Sequence, residues 1–191
     1  MADCTGHGVP GAFLTILGTT FLNEITTLNE HLSPAFTLER WRARLIDALS
    51  QSHEATNTNC MDVSLIRINS KGLGYEWSGA YNPLWLIREN GKPAFQLETS
   101  KEYEFDHCGL HEIRGDKIPI GISESMEAFT NHELQLEKGD RIYLFSDGYA
   151  DQFGGNEGKK MLKSGFRWVL ASTLSNTMKE QGKLLENHFQ E

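Results

Sequence analysis

The sequence predicts an α+β fold in which helices pack on a system of antiparallel strands. Three observations predict it. Apolar residues recur at helical spacing behind Pro10 and again behind Pro34. From Met61 onward the period shortens to the alternation of strands, with no helical crossover between them. Two further amphipathic segments close the chain.

The first helix is expected from residue 10 to about residue 30. Pro10 suits a first helical turn, and Phe13, Leu14, Ile16, Leu17, Phe21, Leu22, Ile25 and Leu28 supply its apolar residues, enough for a well-buried helix. A second helix starts near Ser33-Pro34, carries Leu38, Trp41, Leu45, Ile46 and Leu49, and ends in "QSHEATNTN". "MDVSLIRIN", "LGYEWSG" and "LWLIREN" then read as the strands of a meander. Asn90-Gly91 is the strongest hairpin signal, with "PAFQLE" as the return strand. Residues 99 to 125 are rich in charge and glycine and read as a long loop or irregular strand. "HELQLEKGDRIYLFSDG" reads as a hairpin turning at Glu137–Asp140, and "KKMLKSGFRWVLAS" and "TMKEQGKLLENHFQE" as the closing helices.

At 191 residues the chain suits a single domain, with no linker, repeat or low-complexity tract. Hydrophobic residues make up 39%, enough for a core. No apolar run is long enough to span a bilayer, so direct membrane insertion is not expected. The net charge is -8 and Lys and Arg do not cluster, which argues against a nucleic-acid partner. Cys4, Cys60 and Cys108 are odd in number and far apart, which argues against a disulfide framework and fits a reducing cytoplasm.

Three places carry residues able to do chemistry. In "ADCTGHGVPGAF", Asp3 precedes a glycine-rich turn that feeds a helix N-terminus. Free N–H groups there favour an anion, and a carboxylate beside an anion needs a cation between them. The competing account is a glycine-rich turn with a solvated acid. In "RIYLFSDGYADQFGG", Asp147 follows an apolar strand, where a carboxylate can hold a metal over a sheet edge. Asp-Gly is also a common hairpin turn, but "YADQFGG" does not alternate as a return strand would. Asp151 fits a supporting acid or a helix cap. In "DHCGLHE", Asp106, His107, Cys108 and His111 are zinc-ligating types at a spacing that fits no standard zinc signature, and a polar surface loop accounts for them better. No nucleophilic triad or Walker loop is present.

"ADCTGHGVPGAF", "PLWLIRENG", "DKIPIG", "LEKGDRIYLFSDGYADQFGG" and "KEQGKLLENHF" together resemble the SpoIIE-type serine/threonine phosphatases of the protein phosphatase 2C-like superfamily. The segments run in the family's order over nearly the whole chain, in the version found in output domains of bacterial two-component and stress sensors. The resemblance implies an αββα sandwich, two antiparallel sheets face to face and each covered by helices. It implies two Mn²⁺ or Mg²⁺ ions at one end. Asp3 matches the aspartate that bridges both ions, Cys4 the position whose backbone carbonyl helps hold the second, and Asp147 the next metal aspartate. His7 lies beside them and carries over as a proton-transfer residue. The implied substrate is a phosphorylated regulatory protein of the anti-anti-sigma type. The resemblance also implies cytoplasmic placement, upstream sensor domains and pairing of two copies. Family members carry a further acid-bearing strand pair ahead of the first motif and a strand with two aspartates after the last helix. The sandwich is therefore expected to be partial, a fragment of a longer protein. The rival expectation is a non-catalytic, partner-binding output domain of the same fold with an incomplete metal site.

Overall fold

Four layers build the molecule: two helices, a sheet, a second sheet and two more helices. The computed structural model describes residues 1–28, 31–50, 59–69, 74–97, 100–154 and 159–190. In chain order the elements are β1 (Ala2–Cys4), α1 (Gly8–Leu28), α2 (Pro34–Ser50), β2 (Cys60–Ile68), β3 (Tyr75–Ala80) and β4 (Leu84–Glu89). They continue with β5 (Ser100–Phe105), β6 (Cys108–Ile113), β7 (Ile120–Gly121), β8 (His132–Leu134) and β9 (Arg141–Leu144). A 3₁₀ turn over Asp147–Tyr149, β10 (Phe153–Gly154), β11 (Lys159–Lys160), α3 (Leu162–Ser172) and α4 (Met178–Gln190) complete the chain. The end of the second helix in "QSHEATNTN" and the strand start at Leu73 lie outside the described residues, as do 155–158.

One sheet has the order β1-β2-β3-β8, with β7 also on β2; the other has the order β5-β6-β4-β9. Every named pairing is antiparallel. Three apolar layers glue the sandwich. Leu14 and Ile25 of α1 and Leu38, Trp41, Leu45 and Leu49 of α2 pack on Met61 and Val63 of the first sheet. Between the sheets lie Trp77, Leu84, Leu86, Phe95, Ile113 and Leu134. On the far side Phe166, Leu170, Ala171 and Leu174 cover Trp85, Ile87, Cys108 and Leu110. The alternation of strand side chains produces this division: within β4, Leu84 and Leu86 face the partner sheet and Trp85 and Ile87 face the helices. Buried Gln181 anchors α4 by donating to the Leu170 carbonyl at 3.1 Å and accepting from the Tyr143 hydroxyl at 2.8 Å. Among the described residues no helix is long and apolar enough to cross a membrane.

Five expectations are corrected. The meander breaks after β3, because the chain crosses to the other sheet at Tyr81, whose φ of 57° turns the backbone and whose N–H bonds the Asp116 carbonyl at 2.8 Å. Residues 93–97 of "PAFQLE" form no return strand, because the edges of β4 are taken by β6 and β9, and Glu98 lies outside the described residues. The stretch after residue 99, read as a long loop or irregular strand, contains the regular β5–β6 hairpin. The "HELQL…RIYLF" hairpin is not one either: β8 joins β3 and β9 joins β4, in different sheets. The first helix is less buried than its composition suggests, with Val9, Phe13, Ile16 and Leu28 exposed and Leu14, Gly18 and Ile25 facing the core.

Candidate metal centre

The glycine-rich turn at the start of α1 folds as its residues require. Gly6 (φ 85°) and Gly8 (φ 66°) take left-handed backbone that other residues adopt only at a cost. The turn then doubles back so tightly that a side chain at Gly11 would meet the Gly6 carbonyl oxygen at 3.0 Å. Thr5 locks the turn to β2, its N–H bonding the Cys60 carbonyl at 2.9 Å and its hydroxyl bonding the same carbonyl at 3.0 Å.

Strand alternation sorts the side chains of β1. Cys4 packs with the helix-side core and its Sγ accepts a hydrogen bond from the Thr15 hydroxyl at 3.5 Å, so the thiol is directed to α1. Asp3 sits on the opposite face. Asp147 follows β9 and opens the 3₁₀ turn, near enough for its charge to act on Asp3. The two motifs, carried by different sheets, thus share one field: burial first, and the Asp147 carboxylate second, push Asp3 above the usual aspartate range.

A third carboxylate joins them, and the sequence reading did not single it out. Asp62 of β2 lies directly across from Asp3 in the ladder. Burial, then Asp3, then Asp147, push Asp62 upward as well. Its signal was hidden because "MDVSL" reads as an ordinary alternating strand. Only the β1–β2 register reveals that its one acid faces Asp3. Among the described residues no Lys or Arg pairs with Asp3, Asp62 or Asp147.

His7 is exposed in the turn and, with the Asp3 and Cys4 stretch of β1, lines a cavity of about 490 Å³. Trp41, Met61 and Val63 line the same cavity and give it an apolar part. Asp151, four residues beyond Asp147, neither caps a helix nor joins the carboxylates; its Oδ2 pairs with Lys160 Nζ at 2.8 Å.

The residues of "DHCGLHE" do not converge. Cys108 is buried against α3, whereas His111 on the other face of the same sheet tilts against Phe95 with ring centroids 5.1 Å apart. His107 Nε2 is 2.9 Å from the Ala171 carbonyl oxygen. The polar-loop account of this stretch also falls, since Cys108–Ile113 is a buried strand.

The groups electrostatically coupled to Asp3 are carboxylates, whose oxygens suit a hard divalent cation such as Mg²⁺ or Mn²⁺ better than a soft one. Like charges held together without a counter-cation fit such an ion as well. Among the described residues no three ligating side chains stand close enough to enclose an ion on their own.

The comparisons with known proteins agree with this architecture. No curated protein matches the chain significantly. Among solved structures, the SiaA-PP2C domain of Pseudomonas aeruginosa superposes with a TM-score of 0.75 at 23% identity, over 98% of this chain and 65% of that one. The RsbU and RsbW domains of Rv1364c from Mycobacterium tuberculosis superpose with a TM-score of 0.59 at 16% identity, over 96% of this chain and 46% of that one. At these identities the likeness establishes the fold. The family model described as Stage II sporulation protein E (SpoIIE) matches residues 1–191. The chain, a phosphatase-type αββα sandwich, therefore belongs to the SpoIIE family.

Proposed function

We propose that this domain is a metal-dependent protein phosphatase that hydrolyses phosphoserine or phosphothreonine on a regulatory protein. The observation that carries the proposal is the electrostatic coupling of Asp3, on β1 of the first sheet, to Asp147, which follows β9 of the second, with no counter-cation paired to either among the described residues. In this reading the two carboxylates hold Mn²⁺ or Mg²⁺, with the Cys4 carbonyl as a further ligand. The cations, when bound, lower the pKa of a water and neutralise phosphate charge. The chain's own residues do the rest. The left-handed turn at Gly6 and Gly8 brings main chain and the α1 N-terminus beside Asp3, where N–H groups and the helix dipole favour phosphate oxygens. The water oxygen adds to phosphorus, the bond from phosphorus to the seryl oxygen breaks, and that oxygen leaves with a proton. The His7 imidazole, exposed at the turn, is the group assigned to deliver it. No protein nucleophile is required, which fits the absence of a triad in the sequence. The substrate class, an anti-anti-sigma-type regulator, the pairing of two copies and fusion to a sensor follow the family resemblance.

The test is Mn²⁺-dependent release of phosphate from a phosphoserine peptide. Asp3→Asn and Asp147→Asn are expected to lower the rate at least about 100-fold, the scale of removing an electrostatic anchor of a transition state. Unchanged rates in both would refute the assignment. A second reading, a partner-binding domain without catalysis, is favoured by the lack of an enclosed three-ligand set among the described residues. A protein that takes up Mn²⁺ yet releases no phosphate from any phosphopeptide would select it.

A further inference from the structure

We propose that Tyr81 is a substrate-contacting residue, held rigidly at the end of the sandwich that carries Asp3 and Asp147, where it seats the peptide segment beside the phosphorylated residue. This rests on the phosphatase reading above and deepens it, since it assigns a substrate contact to that site.

The backbone is unusual here. Tyr81 has a φ of 57°, and the Asn82 N–H bonds the Ala80 carbonyl across it at 2.6 Å, which closes the rare, strained form of γ-turn. Left-handed backbone is costly for a residue with a Cβ, and it persists only where the surroundings over-determine it. The surroundings do so at Tyr81. Its N–H bonds the Asp116 carbonyl and the Asp116 N–H bonds the Gly79 carbonyl, each at 2.8 Å. Main chain packs so closely that a Cβ at Gly79 would meet the Asn82 carbonyl oxygen at 2.5 Å, and one at Gly115 the Gly79 carbonyl oxygen at 2.8 Å. The side chain adds little to the core. It is 49% exposed, and among the described residues its ring meets no aromatic partner or cation. Glycine would take this turn without strain, so neither the turn nor the core accounts for a tyrosine.

Its position does. Ala80 pairs with Val63, so the next residue of that strand end, Tyr81, lies beside Asp62, which is itself opposite Asp3. The Asn82 side-chain amide donates to the Asp62 carbonyl at 3.3 Å and fixes this proximity. Two strand spacings separate Tyr81 from Asp3, about 10 Å, which an extended peptide covers in about three residues. On the second sheet Leu84, at the end of the same crossover, pairs with Leu144, shortly before the turn at Asp147. Tyr81 therefore stands between the strands that bring the two aspartates to one end of the molecule. An aromatic ring held there offers an apolar face to the residues flanking a phosphoserine, and a fixed backbone lowers the entropy lost on contact.

The experiment compares Mn²⁺-dependent hydrolysis of two substrates by wild type, Tyr81→Phe, Tyr81→Ala and Tyr81→Gly. One substrate is a phosphoserine peptide reaching about four residues to each side; the other is p-nitrophenyl phosphate, which has no peptide to seat. The ratio of the two kcat/KM values, peptide over aryl phosphate, is expected to fall about 10-fold in Tyr81→Ala and Tyr81→Gly through a higher KM for the peptide. It is expected to stay within about twofold of wild type in Tyr81→Phe, which keeps the ring. Tyr81→Gly is expected to melt above Tyr81→Ala, since both lack the ring and only glycine takes a positive φ freely. Tyr81→Ala melting as high as Tyr81→Gly means that the turn relaxes, and overturns the rigid presentation. A ratio unchanged in Tyr81→Ala and Tyr81→Gly, even with both rates lowered, or one lost equally in Tyr81→Phe, overturns the ring contact and leaves the phosphatase reading intact. Wild-type protein that hydrolyses neither substrate overturns both.

Discussion

Asp140→Ala tests the strand that brings Asp147 to the site. Asp140 immediately precedes β9, and its side chain is 1% exposed against an Arg88 side chain 6% exposed on β4. The pair is two-pronged, with Arg88 Nε 3.1 Å from Oδ1 and a terminal guanidinium nitrogen 2.6 Å from Oδ2. Arg88 also donates to the carbonyls of Pro93 at 2.8 Å and Gln135 at 3.0 Å, and Asp140 accepts from the Glu137 N–H at 2.8 Å. Removing one partner of a buried pair costs about 3–5 kcal/mol, because the other charge stays buried and unpaired. The two carbonyls left to Arg88 offset part of this, which places Asp140→Ala near the lower end, about 3 kcal/mol. For a domain of this size that is a fall in Tm of roughly 6–12 °C. Urea denaturation of Asp140→Ala, Arg88→Ala and the double variant measures it. The double variant should cost less than the sum of the singles, since each single already breaks the shared interaction. A loss below about 1 kcal/mol, the range of exposed pairs, or strict additivity would refute the claim that this pair fixes β9 to β4.

Two further outcomes are expected. Asp3 and Asp62 are raised in the fold, so their contribution to stability is present below the ordinary aspartate range and is lost as pH rises through their folded values. Melting with EDTA between about pH 4 and 7 should show these two carboxylates opposing stability as pH rises, and Mn²⁺ should reverse that trend; a trend the same with and without Mn²⁺ would contradict it. Gly6→Ala should cost about 1–2 kcal/mol by urea denaturation, the price of left-handed backbone for a residue with Cβ, and a neutral result would mean that the turn relaxes freely.

The first two helices were legible because each carries recurring apolar residues and a proline near its start: the expected first helix from residue 10 compares with Gly8–Leu28, and the second begins at Pro34 as read. The αββα layering came through the resemblance and not through periodicity, which cannot tell which sheet a strand joins. Tyr81–Pro83 looks like a meander turn in sequence and is a crossover between layers in space. The β5 strand escaped because an edge strand keeps charges on its open side: Lys101, Glu102 and Glu104 are exposed while only Tyr103 and Phe105 pack inward. Asp3 and Asp147 were visible because each sits in a motif with an odd turn beside it. Asp62 was not, because its significance depends on what lies across the ladder, and cross-strand partners are set by register and not by neighbours in the chain.

The division of the acids between two sheets has a consequence during synthesis. Asp3 emerges first, but its counterpart is delivered by β9, whose place depends on β4 and hence on the whole second layer. Contacts so distant along the chain form late in folding. Any property that needs both carboxylates is therefore withheld from a nascent or half-built polypeptide and switches on only when the sandwich closes, so uptake of a cation by this pair would report completion of the fold.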